Sequence, residues 1–138
     1  MESYWSQMLY ILIMIKRRIA LIACVKEKQN ESSKAKDMYV SETFKVWMNY
    51  AESWGANQIY ILSGKYGLLE LEEEIIPYDF NLNLIKSEER RIWAQEVIHQ
   101  LDDKARLNED QFLVLANAIY AEYLIPHLTH YSMPLKIY

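Results

Sequence analysis

The chain has 138 residues, of which 51% are hydrophobic and 25% are charged, a size and composition typical of one globular domain. Its net charge of −4, from 15 basic and 19 acidic residues, excludes a protein that grips nucleic acid over its whole surface. A single cysteine excludes an intramolecular disulfide and predicts a reducing, cytoplasmic setting.

The apolar stretch near the N-terminus, residues 8–15, is shorter than the roughly 20 residues that cross a bilayer. Glu2 precedes it and the cations 16–18 follow it, the reverse of the charge order in a signal peptide. We therefore predict no membrane segment. Residues 1–13 are interpreted as an N-terminal extension, either upstream of the fold or an added edge element, and residues 14–138 as a single α/β domain.

Short apolar runs predict β-strands at 19–23, 58–62, 112–116 and 134–138. Residues 25–38 and the long connection 69–86 are predicted as loops. A loop as long as 69–86 inside a compact domain is commonly functional.

Helical patterns separate these strands. Apolar residues spaced by three and four predict a helix after Ser41 that stops at Gly55. A second helix is predicted after an N-cap at Ser87, and a third over 119–128, which Pro126 must end or distort. Strands separated by helices require parallel pairing. The predicted fold is therefore α/β, a Rossmann-like three-layer sandwich with a short, mostly parallel sheet of about four strands.

Polar side chains follow three of these strands, and ligands bind at the carboxyl edge of such sheets. Gly64 and Gly67 follow the second predicted strand, on either side of Lys65, where they let the backbone bend and approach a ligand closely. The groups are Cys24, Lys26 and Lys28, then Ser63, Lys65 and Tyr66, then Asn117 and Tyr120.

Two of these residues have alternative interpretations. A neighbouring lysine would lower the pKa of the Cys24 thiol and make it a nucleophile, whereas a buried cysteine is only core filler. Lys65 is either a ligand contact or a solvated turn lysine.

Other kinds of site lack support in the sequence. The Walker spacing and G-x-G-x-x-G are both absent, so neither ATP hydrolysis nor dinucleotide binding is predicted. His127 and His130 are spaced i, i+3 on a predicted helix, but no nearby cysteine or carboxylate completes a metal site. We predict no metal and no cofactor.

Four motifs together resemble an uncharacterised family of bacterial and phage domains of unknown function, over residues 18–128. They are Ala23-Cys24-x-x-x-Lys28, Ala35-x-Asp37-Met38-Tyr39-Val40-Ser41, Ile61-Leu62-Ser63-Gly64-Lys65-Tyr66-Gly67-Leu68 and Pro77-Tyr78-Asp79. The resemblance implies a fold and a site at the matching Cys24, Lys28, Tyr39, Ser41, Ser63, Lys65, Tyr66 and Tyr78.

The chain departs from that family in its N-terminal extension and in ending at Tyr138, where such domains tend to continue through a glycine-containing tail. A partner supplying the missing edge is one expectation from this departure. More distantly, a cysteine after the first strand with a downstream lysine and serine is similar to the core domain of archaeosine synthase, which modifies a deazaguanine base in tRNA.

The leading hypothesis is a small enzyme acting on a nucleotide, a nucleobase or a nucleic-acid-linked base, with an anion-binding pocket at the carboxyl edge of the sheet. The predicted catalytic residues are Cys24, Lys28 and Ser63. The predicted ligand-binding residues are Lys65, Tyr66, Gly64, Tyr39, Ser41, Tyr78 and Asn117. The expected partner is a small anionic ligand or nucleotide, and the sequence does not decide for or against nucleic acid.

Two alternatives stay open. One is a non-catalytic interaction module, a homodimer formed through aromatic side chains and the apolar N-terminal arm. The other is redox sensing through Cys24.

Overall fold

The computed structural model describes residues 3–14, 16–23, 28–80 and 82–134. Its helices are α1 (Tyr4–Met14), α2 (Ala35–Met38), α3 (Glu42–Trp54), α4 (Ser87–Asp102) and α5 (Ala118–Ala121), with 3-10 turns at Leu82–Leu84 and Ile125–His127. Its strands are β1 (Arg18–Ile22), β2 (Ser33–Lys34), β3 (Gln58–Ser63), β4 (Gly67–Glu70), β5 (Glu74–Ile75), β6 (Gln111–Leu115) and β7 (His130–Ser132). No helix in this described part is long and apolar enough to span a membrane.

The central sheet has five strands within the described residues, in the order β4-β3-β1-β6-β7. Strands β3, β1, β6 and β7 run parallel, and β4 pairs antiparallel to β3. Ile22 of β1 is in register with Ile61 of β3 and Leu115 of β6. The carboxyl ends of these three strands therefore lie side by side, as predicted.

Helices cover both faces of the sheet, because alternate residues of each buried strand point to opposite sides. Ile19 and Leu21 of β1 pack into one core with α4 and α5, whereas Ala20 and Ile22 pack into another with α2 and α3. The α/β fold with a mostly parallel, helix-flanked sheet is confirmed.

The helix α3 follows the predicted pattern closely. Ser41 is its N-cap and accepts a hydrogen bond from the backbone N–H of Phe44. Gly55 ends the helix with φ of 87°, a left-handed conformation that favours glycine.

The loop predicted at 25–38 contains regular structure. Strand β2 pairs antiparallel with β5, and the single turn of α2 follows directly. These elements span two and four residues, too few for apolar periodicity to reveal them.

The helix predicted at 119–128 is wrong beyond its first turn. The α-helix ends at Ala121, and Pro126 lies in a 3-10 turn, since its ring nitrogen cannot donate the bond that an α-helix needs. His130 therefore lies in β7, so it does not share a helix with His127. No cluster of His, Cys, Asp or Glu in the described ranges could hold a metal ion.

Three smaller predictions also change. Ser87 is the first residue of α4, and Lys86 occupies the cap position without a side-chain capping bond. The connection 69–86 contains β5 and a 3-10 turn. Most of the strand predicted at 134–138 falls outside the described residues.

Candidate functional site

The Ser63 side chain lies at the carboxyl end of β3 and is fully buried. Its hydroxyl oxygen accepts hydrogen bonds from the backbone N–H groups of Lys65 and Tyr66, at 3.2 and 3.0 Å. It donates to the phenol oxygen of Tyr78 at 2.9 Å. A hydroxyl has one donor and two acceptor sites, so all three are occupied. This geometry favours an organising role for Ser63 over attack on a substrate.

The Tyr78 hydroxyl is shared with a second phenol. Tyr39 and Tyr78 lie 2.8 Å apart, oxygen to oxygen, and either can donate. We call Ser63, Tyr39 and Tyr78 the hydroxyl cluster. Burial raises the pKa of both phenols, and the Tyr78 neighbour raises the pKa of Tyr39 further. Both therefore stay protonated at neutral pH.

Two lysines lie against the ring of Tyr78. The Lys28 Nζ is 4.5 Å from the ring centroid, and the Lys65 Nζ is 6.0 Å from it. Lys65 also lies 5.3 Å from the ring centroid of Tyr66, which packs edge-on against Tyr78. Backbone pairing between Lys28 and Tyr39 holds the first lysine at this point. Two positive charges and two aromatic rings thus meet beside the hydroxyl cluster.

Helix α4 holds both ends of the turn that carries Lys65. The Trp93 indole N–H donates to the carbonyl oxygen of Ser63, and the side-chain oxygen of Gln100 accepts from the backbone N–H of Leu68, each at 2.9 Å. Trp93 and Gln100 are seven residues apart, which places them on one face of the helix. The turn is fixed at two points by one rigid element.

The two positions of this turn that hold glycine require it for different structural reasons. A Cβ at Gly64 would lie 2.8 Å from the ring of Phe80. Gly67 has φ of 77°, and a Cβ there would also collide with Gln100. Both glycines are thus required by packing or backbone conformation, whether or not a ligand approaches them.

The other predicted site residues are placed as follows. Asn117 is exposed and caps α5 by accepting from the backbone N–H of Tyr120. Ser41 is the buried cap of α3 described above. Cys24 and Lys26 lie outside the described residues, so the nucleophile hypothesis stays a prediction.

The structure therefore brings together Lys28, Tyr39, Ser63, Gly64, Lys65, Tyr66 and Tyr78 of the predicted set. Sequence reasoning missed Trp93, Gln100 and Phe80 as supports. A signal for Gln100 was present, because this polar residue interrupts the apolar face that contains Trp93, Val97 and Leu101.

A family model described as a family of unknown function, DUF6884, matches residues 19–137 of the chain. No curated protein matches the chain.

Proposed function

The chain belongs to DUF6884, a family of unknown function, as its motifs predict, and we propose that it binds an anionic ligand of the nucleotide class at the carboxyl edge of the sheet. In this proposal Lys28 and Lys65 hold the anionic group. Tyr66 and Tyr78 lie beside the ligand and can hydrogen-bond or stack on it. The chain would act on this ligand as a small cytoplasmic enzyme.

The observation that carries the proposal is the approach of two ammonium groups to one phenol ring, at 4.5 and 6.0 Å. A lysine over an aromatic ring gains about 0.5–2 kcal/mol. An anion within reach of both ammonium groups would gain charge-assisted hydrogen bonds, which are about twice as strong as neutral ones. The site thus favours a phosphate or carboxylate over a neutral group.

The hydroxyl cluster supports a proton-donating role for Tyr78. Its oxygen accepts from Ser63, whose own acceptor sites are filled by two backbone N–H groups. When Tyr39 also donates to Tyr78, the Tyr78 proton is free to point at a bound ligand. Since burial raises the pKa of Tyr78, the phenol keeps this proton and can stabilise charge that develops on a ligand oxygen.

Cys24 would be the nucleophile or the wall of the pocket, and Lys28 would be close to the reacting group. These roles rest on the motif that ends at Lys28 and on the approach of Lys28 to Tyr78. Ser63 would hold Tyr78 and the Lys65 turn in place.

A thermal-shift screen tests the proposal, because a ligand that binds the native state raises the melting temperature by mass action. The panel contains phosphate, free bases, nucleosides, nucleotides and short single-stranded oligonucleotides. We expect phosphate-bearing members to stabilise the wild type and to lose this effect in Lys65→Ala. Lys45→Ala removes an exposed lysine of α3 and should respond like the wild type. An equal shift in Lys65→Ala and wild type would contradict the proposal.

A second candidate function is an interaction module, supported by the exposed apolar side of α1. Tyr4, Trp5 and Leu9 are 71%, 75% and 59% exposed, unusually high for such side chains in one short helix. Light scattering distinguishes this candidate. A dimer that dissociates when Trp5→Ser is introduced supports it, whereas a monomer with and without residues 1–13 contradicts it.

A further inference from the structure

We infer that the anion held by Lys65 carries an aromatic group, and that this group binds in a groove between the Lys65 turn and α4. The α4 groove is lined by Lys65, Tyr66, Phe80, Ile85, Ile92 and Trp93, and its volume is about 800 Å³. This inference rests on the proposed function and adds a second part to the ligand.

Two residues link the α4 groove to the hydroxyl cluster. Lys65 and Tyr66 line the groove and also contact Tyr78. The chain passes from Tyr78 in the cluster to Phe80 in the groove within two residues, so their Cα atoms are at most about 7 Å apart. A ligand whose anion contacts the Lys65 ammonium can therefore extend into the groove without leaving the protein surface.

The walls of the groove suit a flat apolar group. Phe80 and Trp93 supply two aromatic rings, and Ile85 and Ile92 supply aliphatic surface. A volume of 300–1,000 Å³ is typical of small-molecule sites, and inorganic phosphate alone would leave nearly all of this groove unfilled. Ile92 is 54% exposed, so covering it with a ligand ring would remove apolar surface from water.

The groove is held in shape before any ligand arrives. Trp93 is anchored by its hydrogen bond to the Ser63 carbonyl, and Gln100 holds the other end of the turn. Phe80 packs against Gly64, where a Cβ would lie only 2.8 Å from its ring. A preorganised wall lowers the entropic cost of binding.

The charges of the lining side chains indicate where the anionic group and the ring of the ligand bind. The groove is also lined by Glu89, Glu96 and His99. The two carboxylates repel an anion and accept hydrogen bonds from amino or hydroxyl groups on a ring. The anion therefore belongs at Lys65, and the ring belongs in the groove. The ligand class is a phosphate ester of an aromatic or heteroaromatic group.

The test compares inorganic phosphate with phenyl phosphate, titrated into the full chain by calorimetry or ligand-observed NMR. We expect phenyl phosphate to bind about tenfold more tightly, since one face of a ring is buried. Ile92→Ser should remove most of this advantage and leave phosphate binding unchanged. Val46→Ser is the matched control, because Val46 is a similarly exposed side chain, at 50%, on α3.

Each result separates the inference from the proposed function. If the two probes bind with equal affinity and Lys65→Ala abolishes the binding of both, the inference of a ring in the groove is overturned and the anion site is retained. If phenyl phosphate still binds more tightly than phosphate in Ile92→Ser, the inference of a ring in the groove is also overturned. Failure of both probes to bind would overturn the anion site together with this inference. Unchanged melting temperatures of the two serine variants would show that each has folded.

Discussion

The Ser63 hydroxyl donates a hydrogen bond to the Tyr78 phenol across 2.9 Å, although 15 residues separate them in the chain. This bond joins the end of a central strand to the long connection before α4. It places a half-buried phenol ring near two lysines that come from separate segments. Much of the candidate site depends on this single contact.

Replacing Ser63 by alanine should therefore damage both stability and binding. The backbone N–H groups of Lys65 and Tyr66 would lose their acceptor inside the protein, which costs about 1–3 kcal/mol. Urea denaturation of Ser63→Ala measures this loss. Ser53→Ala, on the exposed side of α3, should change the free energy of unfolding by less than about 0.5 kcal/mol. Equal stability of the two variants would show that the Ser63 network contributes little.

Alanine variants of Gly64 and Gly67 should recover stability to different extents when the side chain that the new Cβ meets is also removed. Gly64→Ala is expected to destabilise through collision with Phe80, so adding Phe80→Ala should recover part of the loss. Gly67→Ala is strained by its φ of 77° as well as by Gln100, and a left-handed conformation costs a residue with a Cβ about 1–2 kcal/mol. Adding Gln100→Ala should therefore leave at least about 1 kcal/mol unrecovered. Double-mutant cycles from urea denaturation give both couplings, and complete rescue of Gly67→Ala would contradict the backbone explanation.

The sheet was predictable from the sequence because its central strands are short apolar runs bounded by polar residues. The pattern identifies β1, β3 and β6 within about one residue, and α3 with both its caps. Parallel pairing predicted that Lys28, Ser63 and Lys65 converge at one edge of the sheet, but not the bridge to Tyr39 that holds Lys28 there. The small elements β2, β5 and α2 were not predictable, because their pairing and length are decided by tertiary contacts.

The hydrogen bonds within the site could not be predicted from the sequence. Pro77-Tyr78-Asp79 was recognisable only as a motif, and nothing in its composition places the Tyr78 hydroxyl on Ser63. The roles of Trp93 and Gln100 depend on the rotation of α4 against the turn. That rotation is set by packing of the whole helix face, so a pattern of apolar residues specifies the face but not the individual hydrogen bonds.

Alkaline pH should destabilise the protein through Tyr39 and Tyr78. Burial raises the pKa of both above the ordinary value of 10.0. The unfolded chain then loses protons above pH 10 that the folded chain keeps. Stability from these groups is complete below pH 10 and is lost as the pH rises beyond it. Urea denaturation from pH 8 to 11 measures the slope.

Tyr39→Phe should flatten this alkaline slope, because it removes one of the two phenols of the hydroxyl cluster. Tyr50→Phe, on an exposed part of α3, is the matched control. An identical slope in wild type and Tyr39→Phe would contradict the assignment of the effect to the hydroxyl cluster.

A buried carboxylate at the opposite edge offers a separate test of the fold. Asp110 accepts from the backbone N–H groups of Arg106 and Arg17, at 2.8 and 3.2 Å, and lies near both guanidinium groups. Burial tends to raise the Asp110 pKa, but these hydrogen bonds and charges together lower it below 3.8. Its stabilisation is therefore present above pH 3.8 and is lost as the pH falls through the lowered value.

Asp110→Asn should cost about 2–3 kcal/mol at pH 7, since hydrogen bonds to a charged group are strong, and less at pH 3. Urea denaturation at the two pH values measures this difference. Ligand affinity should not change, because Asp110 precedes β6 at the amino edge of the sheet. A loss of affinity as large as that in Lys65→Ala would show that binding follows overall stability.

The most direct test of the anion site is a double-mutant cycle on phosphate affinity, measured by phosphorus NMR in wild type, Lys28→Ala, Lys65→Ala and the double variant. If both lysines hold one anion, each single variant should weaken binding about tenfold or more. The double variant should then lose less than the two single effects combined. Phosphate affinity that is unchanged in both single variants would contradict the account.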